Sequence, residues 1–268
     1  MTRDERERQL SVVIPAYNES QRIAEPLRRI DAWLQTHEPS SEIVVVDDGS
    51  TDGTADVVRD CSRMLRTPVI VVGSSPNRGK GYAVRVGMMR AQGRALLLTD
   101  ADLSTPIEEL EKLRRCLAEG AAIAIGSRKM AGAVVEVRQP LLRESMGRVF
   151  TLLSRLLLLR VSDVTCGFKL FTREAAAQIF PRMTLDDWSF DAEALFLARR
   201  LGLEIREVPV RWRDAQGTKV NRTRDALRSA LGLLRIALNA ARGRYGLHER
   251  AARLRGRALS EERPPGPS

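Results

Sequence analysis

Two carboxylates separated by one small residue, Asp100-Ala101-Asp102, stand one residue beyond an apolar run, Leu96-Leu97-Leu98. Short apolar runs ended by turn formers read as buried strands. In a parallel α/β sheet, ligands bind beyond the carboxyl ends of the strands. An Asp-x-Asp pair in that place suits a hard divalent cation. Mg2+ or Mn2+ takes oxygen ligands, commonly one or two carboxylates, and completes its shell with water and substrate phosphates. The same residues also read as a turn former at Asp100 and a cap at Asp102 for the helix opening at Pro106.

Three further loops end or follow predicted strands. Pro15-Ala16-Tyr17-Asn18-Glu19 closes the strand Leu10–Ile14, where Tyr17 offers a ring to cover a base and Glu19 a carboxylate for a ribose hydroxyl. Asp47-Asp48-Gly49-Ser50 closes Glu42–Val46. A carboxylate there can accept from the imide N–H of uracil, or serve an Asx-turn and helix cap. Asn77-Arg78-Gly79-Lys80-Gly81 opens a helix: two glycines let backbone amides approach an anion, and Lys80 adds charge. No Walker loop and no Gly-x-Gly-x-x-Gly fingerprint after a strand is present. Four loops at one sheet edge describe a nucleotide-diphosphate site with a metal.

The elements that must position these loops alternate strand and helix. Helical spacing covers Ser20–Thr36, Thr54–Leu65, Tyr82–Ala91 and Pro106–Glu119; strands cover Pro68–Val72, Ala95–Thr99 and Ala121–Ile125. That alternation implies a parallel sheet flanked by helices. The pattern then changes. Residues 127–140 read as a charged loop and Leu141–Arg160 as a leucine-rich helix with interspersed arginines, suited to core packing or to a membrane surface. Asp163–Phe171 reads as a turn and strand. Helices follow over Thr172–Phe180 and Asp187–Leu201, then a strand over Ile205–Trp212, a polar stretch over 214–224 and a helix over Thr223–Ala241.

Composition sets the classes. With 268 residues and 43% hydrophobic content, the chain can bury one large α/β domain. Lys and Arg outnumber Asp and Glu by 44 to 34, a net charge of +10 that favours anionic partners. Aromatics at 4% supply little for base stacking, so nucleic acid is a poor partner. The three cysteines are scattered, which excludes a Cys-x-x-Cys zinc site and fits a reducing compartment. The start, MTRDERERQL, has no apolar core of a secretory signal, and no apolar run reaches transmembrane length. The expected layout is a charged tail over 1–9, a domain over 10–241 and a basic flexible tail over 242–268. Within the domain, the change of pattern after Gly126 separates residues 10–126 from 127–241. The expected place is cytoplasmic, peripheral on a membrane.

The stretches SVVIPAYNES, VVVDDGSTDGT, NRGKGYA and LLLTDADLSTP resemble the donor half of family 2 glycosyltransferases with the GT-A fold. IGSR, DVTCGFKLFTREAA, WSFDAE and VPVRWRDAQGTKVN resemble the dolichyl-phosphate β-glucosyltransferase branch. Eukaryotic members carry an N-terminal membrane anchor, and the opening residues here do not resemble one.

The resemblance implies an α/β, Rossmann-like GT-A sheet with a C-terminal acceptor and membrane-interface subregion. It implies inverting transfer of glucose from UDP-glucose to a polyprenyl phosphate. GDP-mannose as donor, or a soluble acceptor, is the alternative. Donor contacts would come from Pro15, Ala16, Tyr17, Asn18, Glu19, Asp47, Asp48, Gly49, Lys80, Asp100, Ala101 and Asp102. Asp100 and Asp102 would hold Mg2+ or Mn2+. The acceptor phosphate would meet Arg128, Arg143, Lys169, Arg211 and Lys219. Asp191 stands where many such enzymes keep a base. A lipid phosphate arrives ionised and needs none, so Asp191 would orient the sugar, pair with an arginine or cap a helix.

Overall fold

The computed structural model describes residues 8–137, 161–213 and 222–247. Its strands are β1 Leu10–Ala16, β2 Ser41–Asp48, β3 Val69–Ser74, β4 Ala95–Leu98, β5 Ile123–Ser127, β6 Val134–Val137, β7 Lys169–Thr172, β8 Ile205–Pro209 and β9 Arg211–Arg213. Its helices are α1 Ala24–His37, α2 Thr54–Ser62, α3 Lys80–Arg90, α4 Leu110–Ala118, α5 Arg173–Ile179, α6 Phe190–Arg200 and α7 Arg222–Ala241.

Seven strands form one sheet in the order β3-β2-β1-β4-β7-β5-β8, and β6 pairs with β9 in a separate ribbon. Only β7 runs antiparallel within the seven, between β4 and β5. The central strands are apolar on both faces, as a helix-covered parallel sheet requires. Alternate residues feed two cores. Val13, Val44, Val46, Leu96 and Leu98 pack with α3 and α6. Val12, Ile14, Ile43, Val45 and Leu97 pack with α1 and α4 on the other side.

The alternating first half matches expectation, and three later features differ. Residues 127–140 read as a loop, yet Val134–Val137 forms β6. The expected strand over Ile205–Trp212 is divided at Val210, so that β8 joins the large sheet and β9 pairs with β6. Arg242–Leu247, read as the start of a free tail, is packed: Tyr245 is buried against Phe196. The predicted helix over 141–160, most of the polar stretch and the tail beyond 247 lie outside the described residues.

Candidate active site

Asp100 and Asp102 leave the carboxyl end of β4 in a turn, with Leu103 at a positive φ of 47°. Asp102 Oδ1 accepts from the Ser104 amide at 2.9 Å. Burial, and the negative charge of Asp100, push the Asp102 carboxyl above its ordinary range. Lys80, the first residue of α3, donates to Asp100 Oδ1 at 2.6 Å. Burial acts to lower the Lys80 pKa, but Asp100, Asp191 and Asp102 together hold it above the usual lysine value. The lysine is therefore a fixed positive charge beside the pair. Its ammonium also lies 4.9 Å from the ring centre of Trp188, a half-exposed side chain. Among the described residues no group of three or more His, Cys, Asp or Glu converges on a metal-sized space. Two close, mutually repelling carboxylates with open coordination elsewhere fit Mg2+ or Mn2+ completed by diphosphate oxygens.

The loop after β1 stands beside this pair. Tyr17 is 44% exposed at the sheet edge, whereas Pro15 and Ala16 lie in β1. Asn18, at φ 55°, receives the Thr51 amide on its side-chain oxygen and donates its own amide to Ser50. Glu19 was expected to face a ribose. Instead both its oxygens take Arg22, with Nη2 at 2.7 Å from Oε1. Arg22 feels the charge of both Asp102 and Asp100. It is a site cation that sequence reading passed over, because it lies within a stretch of helical spacing.

The Asp47-Asp48 loop divides its tasks. Asp48 is buried, and its carboxylate accepts from Ser74 Oγ, Asn77 Nδ2, and the Arg78 and Gly79 amides. A carboxylate has about four acceptor sites. Asp48 is thus filled by the protein and shapes the 74–79 loop. Asp47 takes only the Ser50 amide among the described residues, at 3.1 Å, and Gly49 supplies the turn at φ 74°.

The glycines of the Lys80 loop also serve a different purpose from the one expected. The Gly81 and Tyr82 amides donate to the carbonyl of Asp186, at 2.9 and 3.3 Å. A Cβ on Gly79 would meet that carbonyl oxygen at 2.4 Å, and one on Gly81 the Leu185 oxygen at 2.6 Å. These glycines admit the backbone of residues 185–187, not a phosphate. Arg85 secures the same segment through the Asp186 carboxylate, 2.8 Å away.

Of the acceptor candidates, Arg128, Lys169 and Arg211 are among the described residues. Arg128 grips Asp163 through Nε and Nη2 at 2.7 and 2.8 Å, reaches Thr165, and lies over the Trp212 ring. Burial acts to lower its pKa, but that pairing keeps it above the ordinary value, and Asp100 adds to the effect. Arg128 and the Asp pair therefore share one electrostatic neighbourhood. Lys169 is a correction. It is 1% exposed, and its ammonium is held by Asp191 and the Cys166 carbonyl, so it presents no free charge to an acceptor. Arg211 gives its Nε to Glu109 at 2.7 Å. Arg143 and Lys219 lie outside the described residues.

Sequence reading passed over Glu193 as well. It is fully buried, and its carboxylate receives the Thr184 and Leu185 amides, the Thr184 hydroxyl and the Tyr245 hydroxyl. Its spacing from Asp191 in WSFDAE puts both on the first turn of α6, where acidic residues also suit the helix dipole.

This arrangement, with carboxylates and a lysine at the carboxyl ends of a mostly parallel sheet, is that of a nucleotide-sugar transferase. Residues 11–180 match the model of glycosyl transferase family 2, and the chain belongs to that family. It is 36% identical over 252 residues to a dolichyl-phosphate beta-glucosyltransferase of Trichomonas vaginalis, covering 89% of this chain and 74% of that one. It is 38% identical over 225 residues to the dolichyl-phosphate beta-glucosyltransferase of Drosophila melanogaster, covering 79% and 69%. The fold is that of the glucosyl-3-phosphoglycerate synthase of Mycobacterium tuberculosis, solved with Mn2+, UDP and glucosyl-3-phosphoglycerate. The TM-score is 0.63 at 21% identity, over 85% of this chain and 78% of that one.

Proposed function

We propose that this glycosyltransferase moves glucose, with inversion, from UDP-glucose to a dolichyl or other polyprenyl phosphate. The observation that carries the reading is the identity of 36% and 38%, over most of the chain, with two dolichyl-phosphate beta-glucosyltransferases. Asp100 and Asp102 would hold Mg2+ or Mn2+, which supplies charge neutralisation on the leaving diphosphate. Lys80 adds a fixed positive charge on the same side. Tyr17 and Asp47 suit the uracil, since Asp48 has no acceptor capacity left.

The acceptor phosphate oxygen attacks the anomeric carbon opposite UDP, and Arg128 orients it. No proton has to be removed from such a nucleophile. Asp191 is already engaged: burial pushes its carboxyl above the ordinary range, and the Lys169 ammonium on Oδ1 opposes that push. Contact with an anionic membrane surface belongs to the same reading. In support, Leu231, Leu234 and Leu238 are exposed at helical spacing on α7, with Arg235 among them. Among the described residues no helix is long and apolar enough to cross a membrane.

The test is a transfer assay with purified protein and Mn2+ or Mg2+. UDP-glucose and GDP-mannose are each offered with dolichyl phosphate, a bacterial polyprenyl phosphate and 3-phosphoglycerate, and products are read by mass spectrometry. A glucosylated lipid phosphate formed from UDP-glucose is the expected product, lost in Asp102→Asn. Preference for GDP-mannose would reassign the sugar, and product only on 3-phosphoglycerate would reassign the acceptor.

A further inference from the structure

Asp100 faces a neighbour that sequence alone does not announce. β4 and β7 pair antiparallel with Leu98 opposite Lys169. Continuing that register two residues beyond the strands places Asp100 opposite Gly167. The contact is closer than any side chain allows: a Cβ on Gly167 would stand 2.1 Å from Asp100 Oδ2, 2.6 Å from Cγ and 2.8 Å from Oδ1. The carboxylate occupies the space that a side chain at residue 167 would need. On its other side, Oδ1 is bound to Lys80 at 2.6 Å. Asp100 is held between a cation and a glycine.

The seat under Asp100 is itself fixed. Gly167 follows Cys166, whose carbonyl accepts from the buried Lys169 ammonium, and that ammonium is paired with Asp191. The Phe168 carbonyl takes the Gly126 amide from β5. The backbone is therefore tied down on both sides of Gly167, which opposes its retreat when a Cβ is added. The Asp100 side chain is short, and all three atoms of its carboxylate would fall inside contact distance. Rotating one oxygen away does not clear the clash; the whole group must move.

We propose that Gly167 is a positioning residue for the cation site, with its missing side chain setting where the Asp100 carboxylate stands. The inference rests on the cation role proposed above for Asp100 and Asp102. It assigns a purpose to the Cys-Gly-Phe turn ahead of β7, which none of the donor loops supplies. Gly73 offers the matching control. It has ordinary φ, and no atom lies within 4 Å of where its Cβ would stand, so an alanine there tests glycine replacement without a clash.

The experiment uses the full chain as wild type, Gly167→Ala, Gly73→Ala, Asp100→Ala and the double variant Asp100→Ala/Gly167→Ala. Binding of Mn2+ in the presence of UDP is followed by electron paramagnetic resonance of the free ion, and thermal unfolding is recorded without metal. Gly167→Ala is expected to bind Mn2+ at least tenfold more weakly, with Gly73→Ala unchanged. Its unfolding midpoint should fall in the wild-type background and not in the Asp100→Ala background, where the clashing carboxylate is gone. If Gly167→Ala does not fold alone, recovery of a folded double variant gives the same answer. Wild-type Mn2+ affinity in Gly167→Ala, or an equal loss of stability in both backgrounds, overturns the proposal. Failure of the wild type itself to bind Mn2+ with UDP overturns the cation reading instead, and the thermal comparison then still decides the contact.

Discussion

The Lys169 ammonium lies 2.5 Å from Asp191 Oδ1, with both side chains buried at the start of α6 and β7. Lys169 was expected to meet the acceptor, and Asp191 to orient the sugar, pair with an arginine or cap a helix; in the fold the two are each other's partners. The pair joins α6 to the turn beneath Asp100, so its loss reaches the cation site by way of structure.

Replacing Asp191 by Asn leaves a buried ammonium without its counter-charge. Breaking a buried pair from one side typically costs about 3–5 kcal/mol. Urea unfolding of Asp191→Asn should show a loss of that order. Asp191→Asn/Lys169→Met should recover a large part of it, because the two sites are coupled. Any fall in turnover then has to be measured on folded protein. An Asp191→Asn variant as stable as the wild type but inactive would restore the general-base role and speak against a phosphate acceptor.

Arg128 calls for a milder change than alanine, since alanine would strand the fully buried Asp163. Arg128→Lys keeps the charge and loses the two-pronged grip. The expected outcome is a raised KM for the acceptor with the KM for UDP-glucose unchanged. Equal effects on both substrates would move Arg128 out of the acceptor site.

Much of this was legible in the sequence, for reasons that can be named. The strands up to β5 show as apolar runs ended by Pro, Asp or Gly, and Asp100, Asp102 and Lys80 came together because parallel strands bring their carboxyl ends to one edge. What escaped depends on contacts distant in the chain. Val134–Val137 is a strand only because Arg211–Arg213 lies beside it. Gly79 and Gly81 have the composition of an anion loop, and nothing local reveals that the Asp186 carbonyl takes the amides. Lys169 looks like any surface lysine until Asp191 is placed 2.5 Å away.

The Arg128–Asp163 pair also sets a pH dependence. Hydrogen bonds and the charge of Arg128 overcome the effect of burial and lower the Asp163 pKa to about 2. A carboxylate depressed on folding contributes stability that is complete above its unfolded value, near 4, and lost as pH falls through the folded value. The contribution is roughly 2 kcal/mol at neutral pH. Unfolding free energies of wild type and Asp163→Asn should therefore differ by a constant amount above about pH 5, and the gap should narrow steadily towards pH 2. A gap independent of pH over that range would show that Asp163 is not depressed.

The last expectation concerns Glu193 and Tyr245, which tie the chain beyond α7 to the segment carrying Trp188. Glu193 Oε2 accepts the Leu185 amide at 3.0 Å, and Oε1 accepts the Thr184 hydroxyl at 2.6 Å and the Tyr245 hydroxyl at 2.9 Å. The Thr184 amide lies 3.0 and 3.1 Å from the two oxygens. A glutamine oxygen in the Oε2 position can keep both amides, and its amide group can donate to the two hydroxyls after they rotate. An alanine strands every donor in a buried space, at about 1–3 kcal/mol for each group left unpaired. Tyr245→Phe removes one donor and leaves the carboxylate its other partners, a loss of about 1 kcal/mol. Stability should therefore rank Glu193→Ala well below Glu193→Gln and Tyr245→Phe, with the latter two close together. The segment they hold also supplies the Asp186 carbonyl to the start of α3 and Trp188 to Lys80. UDP-glucose affinity by calorimetry should follow the same order among the folded variants. A Glu193→Ala variant no less stable than Tyr245→Phe would mean that the two amides find other acceptors, and the tie would not be a structural one.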